Sequence, residues 1–305
     1  MKKDNNNIEK KDGVISYVQR MSLSDGPGIR TTVFLKGCNL RCKWCHNPET
    51  FTMAPDMEWI STKCIGCGTC LNICDSKSLH LTQDGIVRDR YTCIQCYKCI
   101  SKCYSNAWNL IGKNYTVQQL CGIICADKAI FERTGGGVTF SGGEPMMQFP
   151  FLLESLKLLK KRKIHTLIQT NLTSDWSKYE RIIPYVDFFM CDLKHLDSEQ
   201  HQFWTGRRND IILDNIQKMD DYGISYCLRT PVIPGVNDSE DDLRKMSIFV
   251  QKLKRLKYYE LLPFHPLGSF KYHNLGLHYS FEQIPELSAE RMKEIKQLYE
   301  LTNKY

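Results

Sequence analysis

Beyond about residue 115 the chain alternates between apolar runs and amphipathic stretches. Val117, Leu120, Cys121 and Ile124 recur at helical spacing, with Thr116 placed to cap the first turn. GGGVTFSGGEP then reads as a strand that ends in a tight glycine turn. The pattern predicts helix over 149–161, strand over 165–170, helix over 176–183 and strand over 187–192. Helix over 211–222, strand over 225–230, helix over 239–256 and strand over 258–262 follow, and an amphipathic tail, 288–303, reads as a last helix. Before this zone, residues 14–48 hold a short strand, the turn-rich DGPGIR and a strand over 30–36. Residues 51–112 are rich in cysteine and turns.

Strands alternating with helices of 10–15 residues imply βαβ units, a parallel sheet and right-handed crossovers. With 30–36 included, about six such strands result, too few for a closed eight-stranded barrel. An open β/α barrel or a doubly wound sheet remains, and in either, ligands sit at the C-terminal strand ends. Cys38 follows the first strand, Ser141 to Glu144 the second, and Gln169, Thr170 and Asn171 close the third. Asp192 and Lys194 follow the fourth, Arg229 lies near the end of the fifth, and His265 stands just past the sixth. One edge of one sheet is expected to collect them all.

Composition narrows the class. The chain has 305 residues, 42% of them hydrophobic, and no apolar run approaches the roughly 20 residues that span a bilayer. The polar opening, MKKDNNNIEKKDG, lacks the apolar core of a secretory signal and reads as a disordered leader over 1–13. A cytoplasmic location is expected. Fifteen cysteines in such a chain point to metal or redox chemistry rather than disulfides. The formal charge of +7 is mild, and KLLKKRK (157–163) reads as the solvated face and last turn of a helix. Neither a nucleic acid nor a membrane is expected as a partner.

Eleven cysteines fall in three groups. Two groups are an internal repeat, CIGCGTCLNIC (64–74) and CIQCYKCISKC (93–103), and Cys93 repeats Cys64 after 29 residues. Each copy runs C-x2-C-x2-C-x3-C. Three close thiolates wrap one [4Fe–4S] cubane, and the fourth ligates the other cluster. Cys64, Cys67, Cys70 and Cys103 would hold one centre, and Cys93, Cys96, Cys99 and Cys74 the second. Asp75 and Tyr104 stand where the bacterial ferredoxin run places proline. Two four-cysteine zinc sites are the alternative, but zinc favours two C-x2-4-C pairs with a longer spacer.

The third group, Cys38, Cys42 and Cys45, has no fourth cysteine nearby. Cys121 and Cys125 sit four apart on a predicted helix, and Cys191 and Cys227 lie in apolar strands, so all four read as core thiols. His46 would be strained as a ligand beside Cys45. The simplest reading is a cluster with three protein ligands and one open iron.

CNLRCKWCHNP resembles the cluster loop of radical S-adenosylmethionine (SAM) enzymes. DGPGIRTTVFLKGC, GGGVTFSGGEP, CDLKH and LLPFHPLG together resemble the activating enzymes of glycyl radical enzymes, in their longer form with a ferredoxin-like segment. The resemblance implies a partial (open) β/α barrel of about six parallel strands over 14–50 and 113–305, interrupted by a ferredoxin-like two-cluster insertion over 51–112. It implies three [4Fe–4S] clusters in all, with SAM on the open iron held by Cys38, Cys42 and Cys45. Those cysteines and Lys194 are the catalytic residues it implies. Trp44 and His46 would sit against SAM; Gly142, Gly143 and Glu144 would meet its methionine amino group, a side chain at Gly143 pushing the ligand away. Asp192 and Lys194 would lie near its carboxylate and ribose, and His265 would also contact it. Some relatives end the third strand with an acidic residue and Thr-Asn-Gly; Gln169-Thr170-Asn171-Leu172 here argues against a tight monovalent cation site.

The implied reaction is reductive cleavage of SAM to a 5′-deoxyadenosyl radical, which takes a hydrogen from a glycine of a partner glycyl radical enzyme. A ferredoxin or flavodoxin would supply the electron, and the chain would act as a monomer that docks transiently. The alternative is a radical SAM enzyme acting on a peptide or small molecule, its auxiliary clusters binding substrate.

Overall fold

The computed structural model describes residues 12–83 and 85–298. The strands are β1 (Gly13–Ser22), β2 (Arg30–Leu35), β3 (Asp56–Trp59), β4 (Leu79–Thr82), β5 (Gly85–Arg88) and β6 (Trp108–Ile111). They continue with β7 (Lys113–Tyr115), β8 (Gly137–Gly142), β9 (Thr166–Thr170), β10 (Phe188–Asp192), β11 (Tyr226–Val232) and β12 (Leu256–Pro263). The expected leader lies almost wholly outside the described residues, and β1 opens at Gly13, one residue into it.

Eight strands form one sheet in the order β12-β11-β10-β9-β8-β2-β1-β7. From β2 to β12 every pairing is parallel, which makes six parallel strands; β1 pairs antiparallel with β2 and β7. Each new parallel strand is added on the same side of the last, so right-handed crossovers carry all connecting helices to one face. Burial follows that rule with period two. Ile168, Phe189, Cys191 and Leu228 join the large core with Leu152, Leu156, Ile212, Ile216 and Met219 of the helices. Leu167, Met190, Cys227 and Tyr258, one step out of phase, form a small separate cluster on the opposite face. A doubly wound sheet would cover both faces with helices; this one does not.

Several helices sit where periodicity predicts. Phe149–Lys161 has proline in its first turn and Lys160 and Lys161 in its last. Thr116 and Gln119 form a capping box on Val117–Cys125. The helix expected over 239–256 stops at Gln251, because Leu256 already belongs to β12. The tail helix spans Ala289–Leu298, and the rest of its predicted length lies outside the described residues. Among the described residues no helix is long and apolar enough to cross a membrane.

The cysteine repeat is a structural repeat. Left-handed backbone occurs at Gly66 and Gln95, at Gly68 and Tyr97, and at Lys77 and Asn106, each pair 29 residues apart. Exposure follows the same period: Cys67 and Cys96 are exposed, Cys70 and Cys99 buried, and Cys64, Cys93, Cys74 and Cys103 in between. Two antiparallel pairs, β3–β6 and β4–β5, frame this unit. Its core is Met57, Leu79, Ile86 and Trp108 with the buried thiols, so little apolar surface holds it together apart from its cysteines.

Candidate active site

The C-terminal ends of the six parallel strands surround a cavity of ≈480 Å³. Cys38, Cys42, Trp44, Cys45, His46, Gly142, Gly143, Asp192, Lys194 and His265 all line it, as do Gln169, Thr170, Asn171 and Arg229. Residues 227 positions apart in the chain meet because parallel strands deliver all their C-termini to one edge.

Glu144 is the exception. It is fully buried and does not line the cavity. Its carboxylate accepts from Asn171 N (2.7 Å), the Thr170 hydroxyl (2.9 Å) and Met146 N (3.0 Å). It ties the turn after β8 to the end of β9. Burial pushes its carboxyl up to about 7, against the pull of those three donors. At Gly143 the structure supplies a reason for glycine that is independent of any ligand. A Cβ there would stand 2.2 Å from the Gly37 carbonyl oxygen, so the residue must be bare for the cysteine loop to pass. Glu144 N donates to that same oxygen (2.8 Å), and Gly37, at φ +93°, donates to Thr50 O (2.8 Å). The glycine turn and the thiol loop are one unit.

Burial pushes all three loop thiols up, Cys42 to about 12 with Lys194 opposing. Buried thiolates need positive charge to offset desolvation. N–H donors already converge on the sulfurs: Leu40 N (3.5 Å) and Asn171 Nδ2 (3.8 Å) on Cys38, and Asn47 N (3.3 Å) on Cys45. Among the described residues no three histidines, cysteines or carboxylates gather tightly enough to hold a single metal ion. Three thiols with amide donors, around a roomy cavity, fit an iron–sulfur cluster.

The rest of the cavity lining divides into a polar group and an aromatic group. Lys194 Nζ stands 2.8 Å from Asp192 Oδ2. Burial alone would lower the lysine, but Asp192 and the nearby thiols hold it above its ordinary value. Arg229 pairs with Glu260 on the neighbouring strand at 2.8 Å. The His46 and His265 rings lie tilted against each other with centroids 4.5 Å apart, His46 Nε2 lies 2.9 Å from the His265 carbonyl oxygen, and burial and the second histidine both lower His46. His265 Nδ1 is buried without a partner in the described structure, an orphan that a cavity ligand would satisfy. Trp44 is locked edge-on against Phe281, at 6.2 Å, within a buried cluster that includes Phe264 and Tyr279.

Sequence reasoning missed the apolar wall, Leu40, Pro231, Ile233, Leu262 and Phe264, whose only signal was position beside strand ends. It also missed Lys36, fully buried, whose Nζ donates to Glu49 O. Gln169 is engaged by the Ser141 hydroxyl. Leu172, where some relatives carry glycine, has left-handed backbone (φ 57°) and is fully buried.

A one-sided parallel sheet with three thiols at its C-terminal edge is the arrangement of a radical SAM protein, and the Radical SAM superfamily profile matches residues 125–246. A "4Fe-4S single cluster domain" matches residues 24–78. A radical SAM methyltransferase from Sphaerobacter thermophilus shares the fold, with a TM-score of 0.52 at 14% identity over 94% of this chain and 74% of that one. A 4-hydroxyphenylacetate decarboxylase activating enzyme from Clostridioides difficile (strain CD196) is 39% identical over 94% of this chain and 93% of its own. A trans-4-hydroxy-L-proline dehydratase activating enzyme from Clostridioides difficile is 37% identical over 95% and 97%. The chain belongs to the activating enzymes of glycyl radical enzymes. It is a radical SAM activase, using an iron–sulfur cluster and SAM, whose protein substrate is a glycyl radical enzyme. That membership favours this activity over action on a peptide or small molecule.

Proposed function

We propose that Cys38, Cys42 and Cys45 hold a [4Fe–4S] cluster with one open iron, and that SAM fills the cavity beside it. The observation that carries this reading is the convergence of three half-buried thiols, two of them already receiving N–H donors, with Asp192, Lys194 and the orphaned His265 Nδ1 on one cavity. When bound, the cluster supplies one electron to the sulfonium of SAM, and the nucleoside fragment takes a hydrogen from the partner's glycine. The chain's own residues do the rest. Gly142 and Gly143 offer backbone at the mouth of the turn; Lys194 and Asp192 face the carboxylate and ribose; Trp44, His46 and His265 close the aromatic side. Phe264, Ile233 and Leu40 keep water from the reacting centre. Glu144 acts one step removed, by holding the two strand ends in register.

The six parallel strands form a partial barrel, assigned to 14–50 and 113–305, with the insertion over 51–112. The insertion's sets Cys64, Cys67, Cys70, Cys103 and Cys93, Cys96, Cys99, Cys74 hold two further [4Fe–4S] clusters, three in all. Burial raises the Cys70 thiol and the nearby Cys103 adds to the rise, as Cys70 does in turn for Cys99, so the two thiol sets stand side by side. The two clusters relay electrons from a ferredoxin or flavodoxin. The protein works as a monomer, and its fifteen free thiols fit a reducing cell interior.

The test is anaerobic reconstitution followed by dithionite and SAM. Release of 5′-deoxyadenosine, with a change in the cluster's paramagnetic resonance when SAM is added, is expected. A permanent fourth protein ligand on the catalytic cluster, or no 5′-deoxyadenosine, overturns it.

A further inference from the structure

The insertion hangs from the main sheet by β3 and β6, and this pair has a root and a tip. Asp56 pairs with Ile111 at the root; Trp59 pairs with Trp108 at the tip. Cys64 follows the tip of β3 after a single turn, Ser61–Lys63. Cys103 precedes the tip of β6, and Ala107 N donates to its sulfur (3.2 Å). That thiol set is therefore tied to the tip of the pair. Cys99 is different: its Sγ meets Met57 Sδ at 3.8 Å, one residue from the root.

The root is bolted to the catalytic side by charge. Asp56 accepts from Arg88 (2.7 Å) and Arg90 (2.6 Å), and Arg90 also donates to Leu275 O (3.0 Å). Cys93 N bonds to Asp89 O (3.1 Å), so the second thiol loop starts where Arg90 is pinned. Across the root, the buried Lys36 side chain runs beside Gly112 and Pro55, the chain neighbours of the Ile111–Asp56 pair: a Cβ at Gly112 would stand 2.6 Å from Lys36 Cδ and 3.2 Å from Pro55 Cα. Lys36 Nζ donates to Glu49 O, and the residue directly precedes Gly37 and Cys38. Lys271 bridges Asn47 (2.8 Å) and Glu49 (2.7 Å), and Asn47 N reaches Cys45 Sγ.

We propose that Cys74, Cys93, Cys96 and Cys99 form the inner thiol set, facing the catalytic loop across Met57, Asp56 and Lys36, and that Cys64, Cys67, Cys70 and Cys103 form the outer set. This placement rests on the reading that the insertion holds two clusters. The inner centre is then the one that trades an electron with the catalytic site: it is oxidised by one electron as the catalytic centre is reduced, and a low-potential ferredoxin- or flavodoxin-type donor restores it. Lys36, Arg88, Arg90 and Lys271 outnumber Asp56 and Glu49 in the junction, and this surplus of positive charge favours an added electron on either side of it.

The experiment uses full-length protein with its clusters rebuilt anaerobically and reduced with dithionite. A reduced cluster relaxes faster when another paramagnet is near, so the microwave saturation of the catalytic signal, identified by its shift with SAM, reports the nearest neighbour. Cys96→Ala is expected to abolish that enhancement, and Cys67→Ala to leave it in place; both side chains are exposed, so neither substitution opens the core. Loss with Cys67→Ala alone, or equal loss with both, overturns the placement. Should an alanine variant lose iron from both centres, Cys93→Ser and Cys64→Ser keep an oxygen ligand and must show the same contrast. Coupling that follows Cys96 while partner activation survives Cys96→Ala supports the placement and refutes only the relay. An insertion that takes up no iron refutes the two-cluster reading and the placement with it.

Discussion

Glu144→Gln isolates what the buried carboxylate does. One oxygen takes two donors, Met146 N and the Thr170 hydroxyl, and the other takes Asn171 N at 2.7 Å. A glutamine must keep its oxygen where two donors meet, which turns its NH2 toward the Asn171 N–H. One short bond is lost and two donors are opposed in a fully buried site. A buried group left unsatisfied costs about 1–3 kcal/mol, with the upper end expected for a bond to an ionised acceptor. Urea unfolding of the cluster-free chain at pH 8, above the value of about 7 for this carboxyl, should show that loss. Hydrogen exchange should show faster opening at the Asn171 amide. SAM affinity should fall only as far as the end of β9 shifts. A variant as stable as the parent, with Asn171 still protected but SAM binding abolished, would refute the strut and return the carboxylate to the ligand.

Other substitutions test the same geometry. Gly143→Ala places a Cβ 2.2 Å from backbone oxygen, so the thiol loop must move, and the iron content of reconstituted protein should drop. Leu172→Gly relieves about 1–2 kcal/mol of left-handed strain but empties a site where Leu→Ala alone costs about 2–5, so the net effect in urea should be destabilising; a more stable variant contradicts the packing. Lys194→Ala leaves Asp192 without its partner at 2.8 Å and should weaken SAM binding by about 10–100-fold in equilibrium dialysis, as expected for loss of a charged hydrogen bond; unchanged affinity removes the lysine from the site. Burial would raise Asp56, yet Arg90 and Arg88 hold it below its usual value. Its folded pKa is depressed, so its stabilisation is present above about pH 3.8 and lost as pH falls below that. Asp56→Asn should flatten this acid limb in pH-dependent unfolding of the cluster-free chain.

The three cysteine groups, the repeat and most of the alternating elements were readable from residue order, because each is a local property. Ligand spacing is set by loops of two or three residues, and amphipathic period by the turn of one helix. The helix at Phe149–Lys161 was legible end to end for that reason. Overshoot of the helix ending at Gln251 came where periodicity ran on into an edge strand. The short helices Ser198–Thr205 and Ser269–Leu275 went unseen, since their faces are dictated by what they cover.

What only the tertiary structure decided is how distant backbones approach. Gly143 is bare for the sake of Gly37, more than a hundred residues earlier, and Glu144 serves Asn171 rather than the cavity. Choice between an open barrel and a doubly wound sheet rested on strand order, which no single strand carries. Cys99 meets Met57, 42 residues earlier, a contact that the spacing of the repeat does not reveal. Short-range spacing names the groups that can do chemistry; steric exclusion and strand register between remote segments determine which of them face one another.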